Sequence, residues 1–218
     1  MLRWLRWLML AAVLGPLTAA AEPGVVLVHD WFGVTPFYTQ AASRLERQGY
    51  RVVAVDLYGG RTATTHDEAA ALMQGVDAEA AARQIDAAVR SLSDVPRRIA
   101  LVGFSMGARH ALNAAARHKA VAAMVLWYGE TSRDMATLRR LSGPVLLVTG
   151  SQDGPAAEHA AAFSRAMDDA GAGAEVYLYP GAAHAFAQPL FGGGRGLDPA
   201  ATQAAWALTE DFLRRRIK

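Results

Sequence analysis

Six short apolar runs recur along the chain and predict six β-strands. Most of the runs are continuously apolar rather than alternating, which is typical of strands buried on both faces of a sheet. Each run ends near glycine, aspartate or proline, residue types that commonly mark the ends of strands. The predicted strands are Val25–His29, Val52–Asp56, Ile99–Gly103, Val121–Trp127, Val145–Thr149 and Glu175–Tyr179.

Helical patterns lie between these runs. In Asp77–Ser93, apolar residues recur on one helical face and charged residues on the other. Alternating strands and helices predict an α/β domain with a mostly parallel sheet of about six strands and helices on both faces. Ligands of such sheets bind at the carboxyl ends of the strands, so functional residues are expected directly after each run. The predicted helices are Pro36–Gln48, Asp77–Ser93, Met106–His118, Pro155–Ala170 and Pro199–Arg216.

Residues 1–21 have the pattern of a signal peptide. Arg3 and Arg6 precede an apolar run over residues 8–17, and small alanines at positions 19 and 21 predict cleavage before Glu22. An uncleaved membrane anchor is the alternative, but the apolar run is short for a span and contains a Gly-Pro pair. We therefore expect an exported protein, periplasmic or secreted, in which residues 22–218 form one domain without stable membrane association after cleavage.

Composition narrows the possible partners and chemistries. The chain carries 22 lysines and arginines and 20 aspartates and glutamates, and removing Arg3 and Arg6 with the predicted signal peptide leaves 20 of each. A near-neutral domain lacks the basic face that binding to nucleic acid needs, so no nucleic acid partner is expected. The chain has no cysteine, which excludes disulfides, thiolate metal ligands and a cysteine nucleophile.

A serine between two glycines follows the third predicted strand. The segment Gly103–Gly107, with Ser105 at its centre, lies at a strand-to-helix junction, which is the context of a nucleophile elbow. The turn is so tight that side chains two residues before and after the serine would collide, and glycine removes them. The helix N-terminus favours negative charge developing at Ser105. A tight turn with an idle serine is the alternative, which the strand–helix position disfavours.

A serine nucleophile needs a base, and His184 is favoured among the six histidines. It lies in a loop directly after the last strand, whereas His110 is expected to pack within its helix. The chain order Ser…Asp…His then indicates Asp153, after the fifth strand, as the group that orients His184. The alternative for Asp153 is to cap the following helix, a common role of aspartate. The histidines in polar contexts, where solvation is expected, are His66, His118 and His159.

An acyl-transfer site also needs donors for the oxyanion of the tetrahedral intermediate. The backbone N–H of Met106, directly after the serine, is one expected donor. The other is expected from the loop after the first strand, His29–Gly33, with the Trp31 N–H as the candidate. This chemistry implies no metal and no cofactor.

These motifs resemble those of the dienelactone hydrolase family of α/β-hydrolases. The resemblance covers nearly all of the chain after residue 21, and it implies the α/β-hydrolase fold and hydrolase chemistry. The amino-terminal antiparallel strands of the family are expected to be missing, because Glu22 and the two residues after it lead directly into the first strand. The matching motifs are His29–Val34, Val55–Gly59, the Ser105 elbow, Gly150–Asp153 and Pro180–Phe186.

The resemblance also brings out departures at the substrate site. Founding members have cysteine where this chain has Ser105, and a glutamate tied to control of that cysteine where it has Asp30. They bind the substrate carboxylate through arginines, one of them four residues after the catalytic histidine, where this chain has Gln188. The other arginine is expected near His66–Glu68, which contains none. These departures argue against dienelactone itself as the substrate.

Several side chains are candidates for the substrate pocket. Asp30, Arg61 and Gln188 are the main ones, and Arg61 or Arg195 is a candidate to replace the missing anion contact. The loop Gly192–Gly196 is better explained as a mobile segment near the cleft than as a phosphate site, because it lacks a strand–helix phosphate signature. Aromatic residues near strand ends fit either an acyl pocket or an ordinary core. They are Trp31, Phe37, Tyr38, Trp127 and Tyr128.

The sequence therefore predicts a serine hydrolase that cleaves a small carboxylic ester or lactone through an acyl-enzyme intermediate. A thioesterase or peptidase using the same triad is one alternative. A hydrolase-like binding protein without turnover is another, although the intact triad argues against it. The small-molecule ester or lactone is the expected partner, and its identity and the oligomeric state of the protein stay open.

Overall fold

The computed structural model describes residues 22–94, 98–129 and 131–218, so the predicted signal peptide lies outside the described residues. Its sheet has the strand order β2-β1-β3-β4-β5-β6, and each neighbouring pair is parallel. The predicted strands are confirmed, and their ends differ from the observed ones by at most one residue. The strands are β1 (Gly24–Val28), β2 (Arg51–Val55), β3 (Ile99–Phe104), β4 (Val121–Trp127), β5 (Val145–Gly150) and β6 (Ala174–Tyr179).

The predicted helices are also confirmed, and the structure adds three short elements between them. The added elements are α2, α5 and the 3₁₀ segment Phe191–Gly194. Within the described residues, no helix is long and apolar enough to cross a membrane. The helices are α1 (Pro36–Glu46), α2 (His66–Gln74), α3 (Ala78–Ser91), α4 (Met106–Ala115), α5 (Met135–Leu138), α6 (Gly154–Asp169) and α7 (Pro199–Ile217).

Helix α2 escapes prediction because its apolar pattern is weak. It is mostly alanine, and Ala69 is its one fully buried residue. A capping box nevertheless marks its start: the Thr65 hydroxyl accepts the Glu68 N–H, and the Glu68 carboxylate accepts the Thr65 N–H at 3.2 Å. The spacing of threonine and glutamate was therefore the available signal for this helix.

Both faces of the sheet are buried along β1, β3, β4 and β5, which explains why these strands are continuously apolar. In β1, Val25 and Leu27 belong to the core cluster that includes α1 and α7. Val26 and Val28, which point the opposite way, belong to the cluster that includes α3, α4 and α6. Burying one such side chain fully stabilises the fold by about 1.5–3 kcal/mol relative to leaving it in water. A polar residue in these strands would therefore be costly on either face.

The carboxyl ends of four strands bring the predicted functional residues to one edge of the sheet. β1 leads into the loop that contains Trp31, and β3 leads into Ser105. β5 is followed by Asp153, and β6 by the loop that contains His184. This edge is where a doubly wound parallel sheet places its ligands.

Candidate active site

Ser105 has the strained backbone that a nucleophile elbow requires. Its φ is 50° and its ψ is −117°, in a region that non-glycine residues rarely occupy. A Cβ on Gly103 would lie 2.5 Å from the Gly107 carbonyl oxygen, so the predicted collision within the turn is confirmed at Gly103. A Cβ on Gly107 would instead lie 2.3 Å from the Val28 carbonyl oxygen. The second glycine is therefore also needed for α4 to pack on the end of β1.

The three residues Ser105, His184 and Asp153 form one hydrogen-bonded chain. The Oγ of Ser105 lies 3.1 Å from Nε2 of His184, and Nδ1 of His184 lies 2.9 Å from Oδ1 of Asp153. With its Nδ1–H donated to the carboxylate, the imidazole presents the Nε2 lone pair to the serine hydroxyl. This arrangement is able to accept the serine proton during an attack on a carbonyl carbon.

Asp153 is held by groups on both sides of its carboxylate. It is 7% exposed, and its Oδ2 accepts the Thr149 hydroxyl at 2.9 Å. Although it stands at the N-cap position of α6, its side chain accepts no N–H from that helix. The capping alternative is therefore wrong for this side chain.

The other histidines do not approach the serine. His110 is half-buried on α4, as predicted, and burial lowers its pKa. His159 is exposed, as predicted. The solvation predicted for His118 is wrong, because its Nε2 lies 2.8 Å from Oδ1 of Asp86. His66 is exposed but packs against aromatic rings, as described below.

A buried tyrosine supports the loop from which the second oxyanion donor was expected. The Tyr58 hydroxyl donates to the Trp31 carbonyl at 3.1 Å and lies 3.7 Å from Sδ of Met106. Burial raises the pKa of Tyr58, so its hydroxyl keeps its proton. Within the described residues, neither the Trp31 N–H nor the Met106 N–H donates to a protein acceptor. Sequence reasoning missed the role of Tyr58, for which its place in the Val55–Gly59 motif was the available signal.

Asp30 and Gln188 form a buried pair away from the cleft surface. Nε2 of Gln188 donates to Oδ2 of Asp30 at 2.6 Å, and the Phe32 N–H donates to Oδ1 at 2.9 Å. Both side chains are 1% exposed, and burial raises the pKa of Asp30. The expectation that they line the substrate pocket is therefore wrong. Their hydrogen bond instead joins the loop after β1 to the loop that carries His184.

A cleft of about 350 Å³ opens over the serine. Its lining does not include the predicted Arg61, whose Nε donates to the Tyr58 carbonyl at 3.2 Å, or Arg195, which is exposed beyond the 3₁₀ segment. The cation that does line it is Arg109, one helical turn after Ser105. The i, i+4 spacing on α4 was the signal that sequence reasoning overlooked. The described residues around the cleft are Trp31, Met73, Ser105, Met106, Arg109, Tyr128, His184 and Phe191.

The aromatic residues divide between the two roles left open by the sequence. Trp31 and Tyr128 line the cleft, and the Tyr128 ring lies 5.6 Å from the His184 ring. Tyr38 and Trp127 are fully buried in the core. Phe37 lines a larger cleft of about 540 Å³ beside α1 and α7, which contains none of the three hydrogen-bonded residues. Trp31 and Tyr128 are therefore the two of the five aromatics that line the cleft next to Ser105.

His29 is a buried neutral base next to this site. The Leu57 N–H donates to its Nε2 at 3.0 Å, so the ring proton is on Nδ1, which lies 2.5 Å from the Asp30 carbonyl oxygen. Burial is the main cause that lowers the pKa of His29. Protonation would place a charge in the core and remove the acceptor of the Leu57 N–H.

We expect the free energy of unfolding to decrease as pH falls below about 6.5, the ordinary pKa of histidine. Below that pH, His29 binds a proton in the unfolded chain but resists protonation in the folded protein. The contribution of His29 to the free energy of unfolding is therefore fully present above this pH and is lost on acidification, by at most about 1.4 kcal/mol per pH unit. Asp30 contributes in the opposite direction, because its folded pKa is raised above that of the unfolded chain, so protonation of Asp30 on acidification favours the folded state.

Urea denaturation between pH 7.5 and 5.5 measures this effect, with His29→Gln as the matched variant. Its amide oxygen is able to accept the Leu57 N–H but does not titrate, so its stability should fall less steeply. Equal pH slopes in the two proteins would show that His29 does not cause the loss.

The chain is similar to known proteins across almost its full length. The sequence model of the dienelactone hydrolase family matches residues 9–217. Carboxymethylenebutenolidase 1 of Cupriavidus pinatubonensis is 25% identical, over 93% of this chain and 90% of its own. Carboxymethylenebutenolidase of Pseudomonas putida is 28% identical, over 81% and 80%. A putative carboxymethylenebutenolidase of Salmonella typhimurium is 32% identical, over 76% and 68%.

Solved structures share the fold. The crystal structure of a putative dienelactone hydrolase from Klebsiella pneumoniae has a TM-score of 0.71 and 26% identity, covering 88% of this chain and 87% of its own. A dienelactone hydrolase-like promiscuous phosphotriesterase from metagenomic libraries has a TM-score of 0.76 and 23% identity, covering 90% and 87%. The predicted α/β-hydrolase fold is therefore confirmed.

Proposed function

The chain belongs to the dienelactone hydrolase family, and from this premise we propose that it is a serine hydrolase of small carboxylic esters or lactones that acts through an acyl-enzyme intermediate. The hydrogen-bonded chain beneath the cleft carries the proposal, since Ser105 Oγ lies 3.1 Å from His184 Nε2 and His184 Nδ1 lies 2.9 Å from Asp153. Ser105 is the nucleophile, His184 the general base, and Asp153 the group that orients His184.

The first half-reaction forms the acyl-enzyme. The Ser105 oxygen attacks the carbonyl carbon, its proton passes to Nε2 of His184, and the carbonyl oxygen becomes an oxyanion. The N–H groups of Trp31 and Met106 are the proposed donors to that oxyanion, and one such donor is typically worth about 3 kcal/mol. The C–O bond to the alcohol then breaks, and His184 returns the proton to the leaving oxygen.

The second half-reaction repeats these steps with water. His184 takes a proton from water, the hydroxide adds to the acyl carbon, and the bond to Ser105 breaks as the serine regains its proton. An ester gives an acid and an alcohol, whereas a lactone gives one hydroxy acid because the alcohol is part of the same molecule. Asp153 stabilises the imidazolium formed in both halves.

The substrate proposed here is a small ester or lactone other than dienelactone. The family resemblance implies a substrate-binding arginine at the position of Gln188 and a glutamate that controls the cysteine nucleophile at the position of Asp30. In this chain the side chains of Asp30 and Gln188 are hydrogen-bonded to each other in the interior. The cleft wall is largely aromatic and thioether, with Trp31, Met73 and Phe191 among its residues. Such a wall suits a compact apolar acyl or lactone group.

A fluorophosphonate probe followed by peptide mass spectrometry tests this function. We expect stoichiometric labelling at Ser105 together with turnover of aryl esters or lactones. A panel that also contains thioesters and aminoacyl amides separates the thioesterase and peptidase alternatives through relative kcat/KM. Folded protein without labelling would instead support a binding protein.

We also propose that the protein is exported, on the support of the basic and apolar pattern of residues 1–21. The same probe, applied to the cytoplasmic, periplasmic and medium fractions of producing cells, reports where the labelled protein resides. Label confined to the cytoplasm would contradict export without affecting the enzymatic proposal.

A further inference from the structure

His66 stands behind the wall of the cleft. It is the first residue of α2, and its ring centroid lies 5.2 Å from that of Trp31 and 5.2 Å from that of Phe191. On its other side, the Phe191 ring lies 5.3 Å from the His184 ring. Phe191 therefore stands between His66 and the proposed catalytic base, and it lines the cleft itself.

One long-range hydrogen bond ties the Phe191 segment to α2. Nε2 of His66 accepts the Gly192 N–H at 3.1 Å. Other backbone bonds of the segment are local, such as the Phe191 N–H to the Gln188 carbonyl at 3.2 Å. The imidazole is therefore a connection between the 3₁₀ segment and a helix far away in the sequence.

The backbone of this segment has little packing of its own. Gly192 and Gly193 have φ values of 58° and 63°, and a Cβ on either would meet nothing within 4 Å. A loosely packed backbone opens at low free-energy cost. The position of Phe191 consequently depends on its ring contacts and on the bond that His66 makes to the next residue.

We propose that His66 determines acyl-group specificity by latching Gly192 and so holding Phe191 against Trp31 and His184. This inference rests on the proposed function of the Ser105 site. The latch, which is the hydrogen bond from the Gly192 N–H to Nε2 of His66, limits that site to compact acyl groups. The cleft, at about 350 Å³, is near the small end of ligand sites. His66 acts through Phe191 and is a positioning residue.

The latch is tested with 4-nitrophenyl acetate, butyrate, octanoate and benzoate, using the ratio of kcat/KM for octanoate to that for acetate. His66→Phe keeps the ring packing but lacks an acceptor. It should raise the ratio by about three- to tenfold, the effect of one neutral hydrogen bond, and mainly through KM. His66→Gln places an amide oxygen near the position of Nε2 and should keep the ratio within about twofold of wild type.

Two further variants connect the effect to Phe191. Phe191→Ala should raise the ratio by itself, and adding His66→Phe should change it little more, because the two residues act on one element. His159→Ala removes an exposed histidine on α6, outside the cleft, and serves as the matched control. Thermal unfolding shows that each variant is folded.

The outcomes separate the latch from the function on which it rests. An unchanged ratio in His66→Phe, an equal shift in His66→Gln, or additive effects with Phe191→Ala would overturn the latch while ester hydrolysis stands. If wild type cleaves none of the esters and the fluorophosphonate leaves Ser105 unlabelled, the proposed function is wrong and the latch is wrong with it.

Discussion

Replacing Ser105 with alanine is expected to lower kcat by roughly 10⁴- to 10⁶-fold for an ester that the wild type cleaves. Alanine removes the oxygen that attacks the carbonyl in the proposed mechanism, and within the triad no other group is placed to form the proposed acyl-enzyme. The proposed oxyanion donors and the cleft stay, so a residual rate above that in water should persist. Initial rates with an aryl ester, together with burst kinetics of the wild type, measure the effect.

The fold of Ser105→Ala should be intact. Alanine carries the same Cβ into the strained backbone at φ 50°, so the strain itself does not change. The variant loses the hydrogen bond to His184, which is typically worth about 0.5–1.5 kcal/mol. Ser164→Ala, at a half-buried position on α6 away from the cleft, is the matched control and should keep wild-type kinetics. Full activity in folded Ser105→Ala would disprove the nucleophile assignment.

The strands and the hydrogen-bonded triad were predictable because their signals are local. The strands β1, β3, β4 and β5 are short runs buried on both faces, and hydrophobicity alone marks their ends within one residue. The edge strands β2 and β6 are only partly buried, but their runs are apolar enough to be marked as closely. Ser105 and His184 follow directly from strand ends, and chain order then selects Asp153. A residue that follows a strand of a parallel sheet lies at the carboxyl edge of the sheet, and its place after the strand can be read from the sequence.

The hydrogen bonds that support the site were not predictable, because they join segments that are distant in sequence and depend on where each side chain points. The Asp30–Gln188 bond connects residues 158 apart in sequence, and the placement of Asp30 in the pocket failed for this reason. Tyr58 reaches back to the Trp31 carbonyl from the turn after β2. In both cases the sequence gives the residue types and their order. The burial and the orientation of the side chains depend on how the loops pack, which the sequence does not show.

The arginine at the cleft was also not predicted from the sequence. Arg61 was favoured because it follows a motif of the family resemblance, yet its guanidinium is engaged by the Tyr58 carbonyl. Arg109 lines the cleft instead, because it lies one turn along α4 from Ser105. The i, i+4 spacing of Ser105 and Arg109 indicates that Arg109 lies near the cleft, whereas the motif before Arg61 does not indicate where the Arg61 side chain points.

Replacing Asp153 with asparagine is expected to lower kcat by roughly 10³- to 10⁴-fold. Asparagine has nearly the same shape, but its amide group is able to donate to Nδ1 of His184. The imidazole would then carry its proton on Nε2, where it cannot accept the serine proton. Thr149, which donates to Oδ2 of Asp153 at 2.9 Å, favours the orientation that points the amide nitrogen at His184. Steady-state kinetics with the ester used for Ser105→Ala measure the loss.

This substitution also separates the two roles considered for Asp153. Asparagine caps helices about as well as aspartate, so a capping residue would tolerate the change with little loss of stability or activity. A large loss of kcat with an unchanged melting temperature therefore requires the contact with His184. Asp168→Asn, near the exposed end of α6, removes an equal charge without touching the triad and should behave as wild type. Wild-type kcat in Asp153→Asn would mean that His184 is oriented by some other group.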